Sequence, residues 1–163
     1  IGCGPGFPSI PLAITRPDLK IVSLDSTSKK IDFVNSAVRL LGLPNISGYS
    51  GRAEENATRS KLQKFDFVIS RAVARLNILC ELSLPYLKLS GTLIALKGAK
   101  HAEETAEASN AIKMLGGELG AIDDAPLIIG DVKESRAAIK IHLKKPVPPQ
   151  YPRQYNAILK KPL

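Results

Sequence analysis

Short apolar runs alternate along this chain with longer stretches whose apolar residues recur at helical spacing. The runs Lys20–Asp25, Phe65–Ser70 and Thr92–Lys97 predict strands, and Ala137–Leu143 alternates apolar and polar residues like a last strand. Asn45–Ser50 is a weaker strand candidate. All five runs have the length of strands rather than of helices.

Helices are predicted between these strands. An amphipathic stretch opens at Ser26 and ends at Gly42, with apolar residues three or four positions apart. Residues 8–15, Leu76–Leu87 and His101–Leu115 are the other helical candidates. Strands that alternate with helices favour an α/β fold in which a mostly parallel sheet is covered on both faces.

The end of the chain has a different composition. Four of the seven residues Pro146–Pro152 are proline, a density that neither a helix nor a central strand accepts. We therefore predict one domain over residues 1–145. Residues 146–163 are predicted to form a basic, proline-rich, extended tail that packs on the surface of the domain and contacts RNA.

The positive charge of the protein is concentrated near this tail. The net charge is +8, and residues 132–163 hold eight lysines and arginines against Glu134 alone. Such a distribution favours a polyanionic partner such as RNA, although a basic tail that serves only solubility is the alternative.

Several other classes of protein are disfavoured. No apolar run approaches the roughly 18 residues of a membrane span, so no membrane association is expected. Cys3 and Cys80 show no disulfide or metal-ligand spacing, which predicts no metal site and a reduced, cytoplasmic compartment.

Ile1 stands where a buried first strand should end, so we expect that strand to be truncated. A monomer is the default expectation.

A glycine-rich loop and an acidic strand end form the first candidate site. Gly2, Gly4 and Gly6 are spaced G-x-G-x-G, one position shorter than the G-x-G-x-x-G of dinucleotide sites. Asp25 ends the next strand, where a carboxylate can accept hydrogen bonds from ribose hydroxyls. A purely structural glycine turn and a helix-capping role of Asp25 remain the alternatives.

Six motifs in a fixed order strengthen the nucleoside-binding interpretation. The motifs are GCGPGFPSIPLAI (Gly2–Ile14), LDSTSKKIDF (Leu24–Phe33), GRAEE (Gly51–Glu55), SRAVARLNILCELSLPYLK (Ser70–Lys88), ALKG (Ala95–Gly98) and YPR (Tyr151–Arg153). With these motifs the chain closely resembles the small-subunit (16S) ribosomal RNA guanine-N7 methyltransferases, the glucose-inhibited division protein B family, over its whole length. The chain departs from the family after YPR, where it continues as QYNAILKKPL.

The resemblance implies a Rossmann-like class I methyltransferase fold with a mostly parallel seven-stranded sheet, and S-adenosylmethionine as the cofactor. It implies that Ala53 and Glu54 lie beside the adenine and that Arg71 pairs with the methionine carboxylate, which suits the fork of a guanidinium. An ordinary solvated role for Glu54 and Arg71 is the alternative. The expected cofactor contacts are Gly2, Cys3, Gly4, Gly6, Phe7, Asp25, Ala53, Glu54 and Arg71.

The implied reaction moves the methyl group of S-adenosylmethionine to N7 of a specific guanine in 16S ribosomal RNA, free or within the small subunit. That nitrogen carries a lone pair and no proton, so no general base is expected. Lys97 and Arg71 are the catalytic candidates. The candidate RNA contacts are Arg75, Lys97, Arg153, Lys160 and Lys161.

Other functions share parts of this pattern. A methyltransferase acting on another RNA, a protein or a small molecule would have the same cofactor site. A nicotinamide-dependent oxidoreductase is disfavoured by the glycine spacing. A non-catalytic RNA-binding module would leave Asp25 and the GRAEE and SRAVA motifs without a purpose.

Overall fold

Strands and helices alternate through the first half of the chain, as the apolar pattern predicts. The structure is a computed structural model and describes residues 1–163. Its first half contains α1 (Ser9–Thr15), β1 (Ile21–Asp25), α2 (Ser28–Leu40), β2 (Ile46–Ser50), α3 (Asn56–Lys61), β3 (Phe65–Arg71), α4 (Leu76–Ser83) and β4 (Leu87–Lys97). The second half contains α5 (His101–Glu107), α6 (Ser109–Met114), β5 (Gly117–Asp124), β6 (Leu127–Ile129), β7 (Val132–Glu134), β8 (Ala137–Leu143) and α7 (Tyr155–Lys160).

The strands form a parallel pair, a four-stranded sheet and a small hairpin. β1 pairs with β2 in parallel, and the larger sheet has the order β3-β4-β8-β5. β3 and β4 are parallel, whereas β8 runs antiparallel to both of its neighbours. The hairpin of β6 and β7 connects β5 to β8. The α/β class and the mostly parallel character of the central sheet are therefore confirmed.

A slot separates β1 from β3, so the strands do not join into the single seven-stranded sheet that we expected. The first residue of the chain crosses this slot at one end. The ammonium group of Ile1 donates a hydrogen bond to the carbonyl oxygen of Ile69 (2.9 Å), and the amide of Gly2 donates to that of Leu24 (2.7 Å). The remainder of the slot, about 500 Å³, is lined by both strands.

The main core lies between β3, β4, β8 and the helices that cover them. The alternation in Ala137–Leu143 is reproduced as alternating burial, with Ile139 and Ile141 fully enclosed. α4 is buried on almost all sides, because it packs against β4, α5, α6 and α7. The buried face of α4 also includes a charged residue, Glu81.

Two predicted helices differ from the structure. The helix predicted over Leu76–Leu87 ends at Ser83, and a 3₁₀ turn containing Pro85 leads into β4. Proline lacks the amide hydrogen that the helix would need there. The helix predicted over His101–Leu115 is two short helices that meet at Ala108.

The prediction of a wholly extended tail was wrong. The proline-rich segment ends at Pro152, and residues Tyr155–Lys160 form α7. Its residue Ile158 is fully buried in the main core, so an apolar anchor draws the helix onto the domain. No helix in the structure combines the length and the apolar character needed to cross a bilayer.

Candidate functional site

A cavity of about 560 Å³ opens where β1, β2 and β3 end. It is lined by the glycine loop, by Asp25, by the turn that follows β2 and by Arg71–Val73 at the end of β3. Carboxyl ends of neighbouring strands are the usual ligand position in open α/β sheets. The strand ends thus bring together residues from four of the six motifs in the sequence.

The glycine loop approaches the end of β3 too closely for a side chain at Gly2. The backbone of Gly2 has φ +65°, and a Cβ atom built there would lie 2.2 Å from Cγ2 of Val73. Gly4 also has a positive φ, of +54°, but a Cβ atom there would have no neighbour within 4 Å. Glycine is therefore required at Gly2 by both space and backbone conformation, and at Gly4 by conformation alone.

Asp25 is held in place by two backbone donors. Its Oδ2 accepts a hydrogen bond from the amide of Gly4 and its Oδ1 accepts one from the amide of Thr27, each 3.0 Å long. Burial raises the pKa of Asp25, but these two donors outweigh that effect and hold the pKa below its usual value. The carboxylate is therefore ionised at neutral pH, and each oxygen has a lone pair left for a ligand. Asp25 thus supports the start of α2 and also lines the cavity.

The turn after β2 is fixed from two sides. The hydroxyl of Tyr86 donates a hydrogen bond of 2.9 Å to the carbonyl oxygen of Ala53, and burial raises the pKa of this tyrosine to about 12. Nε of Arg52 lies 2.5 Å from Oε1 of Glu54, whose backbone oxygen accepts a hydrogen bond from Arg59. Ala53 and Glu54 are both buried and line the cavity, with Glu54 forming the second carboxylate of its wall.

Arg71 is one of three cationic residues in the cavity wall, with Lys30 and Arg52. Its guanidinium group lies 5.5 Å from the centroid of the Phe7 ring, within the range of a cation–π contact. Arg71 takes part in none of the ion pairs of the structure. The next residue, Ala72, has φ +53°, an uncommon conformation for a residue with a side chain. Such a conformation beside a cavity is typical of functional sites.

Cys3 and Gly6 complete the predicted loop residues. Cys3 lines the cavity and is buried, and its burial raises the pKa of the thiol. Gly6 does not line the cavity; its carbonyl oxygen accepts a hydrogen bond from Ile10 in the first turn of α1. Cys3 can therefore contact a ligand, whereas Gly6 shapes the turn into the helix.

The proposed catalytic lysine lies outside this cavity. Nζ of Lys97 donates to the carbonyl oxygen of Ala74 (2.5 Å) and pairs with Oε2 of Glu104 (2.6 Å). The same carboxylate oxygen accepts a hydrogen bond from the amide of Leu76. Only 8% of Lys97 is exposed, so this geometry favours a structural role over contact with a substrate.

The predicted RNA contacts fall into two groups. Arg75 is half exposed and forms ion pairs with Glu103 and Glu107. Arg153 is bound to buried Glu81. Lys160 and Lys161, at the end of α7, are exposed and form no ion pair. Only the last two therefore present free charge to solvent.

Sequence reasoning missed several residues of the cavity wall. Arg52, Leu82 and Tyr155 are among them, and they line the cavity together with the predicted residues. Arg52 lies inside the GRAEE motif and could have been found from its position beside Ala53. Leu82 and Tyr155 come from α4 and α7, and no local pattern marks either as a site residue.

Comparisons with known proteins agree with the resemblance. The family described as rRNA small subunit methyltransferase G (GidB) matches residues 1–125. The chain is 41% identical to Ribosomal RNA small subunit methyltransferase G of Lactiplantibacillus plantarum and 44% identical to the protein of that name from Lachnoclostridium phytofermentans. Each match covers 100% of this chain and 67% of the relative.

Two solved structures of similar fold and low sequence identity are methyltransferases. A SAM-dependent methyltransferase from Methanosarcina mazei has a TM-score of 0.66 at 14% identity, over 90% of this chain and 91% of that one. An rRNA methylase from Streptococcus thermophilus has a TM-score of 0.60 at 14% identity, over 88% and 83%. These likenesses establish the class I methyltransferase fold. Together with the match over most of its length, they show that the chain belongs to the rRNA small subunit methyltransferase G family.

Proposed function

We propose that this protein transfers the methyl group of S-adenosylmethionine to N7 of one guanine in 16S ribosomal RNA. The observation that carries the proposal is the cavity at the strand ends, where Asp25, Glu54 and Arg71 face one space. The family to which the chain belongs supports the same reaction.

The residues present fit this cofactor. The volume of the cavity, about 560 Å³, is within the range of small-molecule and cofactor pockets. Asp25 supplies acceptors for the two ribose hydroxyls, and Glu54 with the backbone of Ala53 supplies polar contacts for the adenine edge. Arg71, free of any carboxylate partner within the protein, suits the carboxylate of the methionine moiety. A Cβ atom at Gly4 would have no neighbour within 4 Å, so the loop there is open to close approach of the ligand.

When bound, S-adenosylmethionine supplies a methyl group activated by its sulfonium charge. The protein's part is to fix the direction of that group. Asp25 would hold the ribose hydroxyls and Arg71 the methionine carboxylate, so two separate parts of the cofactor would be fixed in the cavity. Positioning of this kind contributes about 7–11 kcal/mol to lowering a barrier. Guanine N7 attacks with its own lone pair, so no side chain has to remove a proton.

RNA is held by the exposed basic end of α7 in this proposal. Lys160 and Lys161 present unpaired ammonium groups, which bind phosphates without reading sequence. The other three predicted RNA contacts form ion pairs with carboxylates of the protein: Arg75, Lys97 and Arg153. Each of these ion pairs would have to break before the side chain could bind RNA. Because the substrate is ribosomal RNA, we place the protein in the cytoplasm, acting as a monomer on RNA or on the small subunit.

The test is transfer of labelled methyl from S-adenosylmethionine to small-subunit RNA prepared without the modification. The full-length protein is used, and the label is mapped to its base. Label on N7 of a single guanine is the expected result. Cofactor binding without label on RNA would redirect the proposal to another acceptor, and absence of cofactor binding would overturn it.

A further inference from the structure

The C-terminal helix α7 reaches the cofactor cavity. Tyr155, its first residue, lines the cavity beside Arg52 and Glu54. The guanidinium carbon of Arg52 lies 4.9 Å from the centroid of the Tyr155 ring, and Nε of the same arginine contacts Glu54. A continuous chain of contacts therefore runs from the tail to the carboxylate on the adenine side of the cavity.

A buried ion pair holds this helix in position. Glu81 of α4 is fully buried and accepts three hydrogen bonds from Arg153: from its amide (2.8 Å) and its Nε (2.9 Å) to Oε1, and from its Nη2 (2.6 Å) to Oε2. The paired fork-to-carboxylate geometry is the most directional ion pair available to side chains. The pair joins residues 72 positions apart, immediately before α7.

The same arginine also binds the far end of α7. Its Nη1 donates a hydrogen bond of 3.0 Å to the carbonyl oxygen of Lys161, which follows the last turn. Arg153, which precedes the helix in sequence, therefore also binds its C-terminal end. On the other side of the pair, Leu82 follows Glu81 in sequence and lines the cofactor cavity. Both partners of the ion pair are therefore adjacent to elements of the cavity wall.

We propose that Tyr155 is a cofactor-binding residue on the adenine side of the cavity, and that Glu81 and Arg153 are positioning residues that hold it there. The proposal rests on the assignment of S-adenosylmethionine as the cofactor. It gives the buried charge of Glu81 a function, since a buried pair of this kind contributes little net stability compared with apolar residues of the same shape. It also assigns Arg153 to the cofactor site rather than to RNA.

The first test is titration calorimetry of the full-length protein with S-adenosylmethionine and, separately, with adenosine. Tyr155→Ala is expected to weaken both ligands by about the same factor, on the order of 10-fold, because an aromatic contact to a base is lost. Tyr155→Phe keeps the ring and is expected to bind like the parent protein. The matched control is Asn156→Ala, which alters the adjacent exposed residue of the same helix and is expected to leave both affinities unchanged.

A double-mutant cycle tests the positioning role. Glu81→Gln weakens cofactor binding in the parent protein but causes no further loss in the Tyr155→Ala background, because both changes remove the same contact. Arg153→Lys keeps the charge but loses the fork, so it provides a milder second variant if Glu81→Gln reduces folding. Thermal melting of every variant separates loss of affinity from loss of folded protein.

Two outcomes overturn the inference. Parent-like affinity of Tyr155→Ala for both ligands would remove Tyr155 from the site, and additive losses in the cycle would remove the positioning role. Both outcomes are distinct from failure of the proposed function, which would appear as absence of S-adenosylmethionine binding by the parent protein itself.

Discussion

The amide of Gly4 donates a hydrogen bond of 3.0 Å to Oδ2 of Asp25, and so joins the glycine loop to the end of β1. The hydrogen bond fixes the distance between the loop and the carboxylate. A ligand that contacts both elements therefore meets a preformed arrangement.

Removal of this carboxylate should weaken cofactor binding while RNA binding is retained. Asp25→Ala removes hydrogen bonds between a charged group and two hydroxyls, for which a loss of affinity on the order of 10- to 100-fold is expected. Calorimetric titration with S-adenosylmethionine measures the change. Asp18→Ala is the control, since Asp18 is exposed and pairs only with Arg16 on the surface. Unchanged affinity of the Asp25 variant would contradict the ribose assignment.

A side chain at Gly2 should destabilise the protein more than one at Gly4. Both positions have positive φ, a conformation that costs about 1–2 kcal/mol for alanine. Only Gly2→Ala also meets Val73, at 2.2 Å. In urea unfolding without cofactor, the free energy of unfolding should therefore be lower for Gly2→Ala than for Gly4→Ala. Adding Val73→Ala to Gly2→Ala should restore part of the difference. Equal losses at the two glycines would mean that Val73 moves aside freely.

Loss of Lys97 should reduce stability rather than cofactor affinity. Lys97→Met leaves Glu104 without its cation, and breaking a buried pair on one side costs about 3 kcal/mol. The double variant Lys97→Met with Glu104→Gln should recover part of that loss, because the uncompensated charge is removed. Denaturant unfolding and cofactor titration measure the two effects. Parent-like stability combined with lost methyl transfer would instead support the catalytic role predicted from sequence.

The end of α7 should contribute to the salt dependence of RNA binding. Neutralising Lys160 and Lys161 together is expected to lower the slope of log affinity against log salt by about two, one for each phosphate contact. The matched control changes Lys20 and Lys113, two exposed lysines that form no ion pair and do not line the cofactor cavity. An equal change in the control would show that only total charge matters.

Much of the fold and part of the candidate site could be predicted from local sequence. The strand that ends in Asp25 and the loop that contains Gly2 are each formed by consecutive residues. Their structure can therefore be predicted from the local pattern of residue types. In contrast, nothing local links Arg153 to Glu81 or Lys97 to Glu104, because packing of separate elements decides which charges meet. This limit applies most to the predicted RNA contacts, since a sequence does not show whether an arginine is free in solvent or forms an ion pair with a carboxylate of the protein.

The last part of the chain shows the same limit. The density of proline predicted an extended tail from Pro146 onward and gave no sign of α7. The helix depends on burial of Ile158 in a core whose other residues lie far away in the sequence. Tyr155 joins the cavity only as a result of that packing.

The hydrogen bond from Tyr86 to Ala53 has a consequence for the rate at which ligand arrives. Tyr86 belongs to the main core, so the turn it holds cannot open unless the core does. A wall fixed in this way before binding needs no slow rearrangement, and little entropy is lost in ordering it. Association of the cofactor should therefore be a single step whose rate rises in proportion to ligand concentration, with no plateau from a preceding opening of the turn.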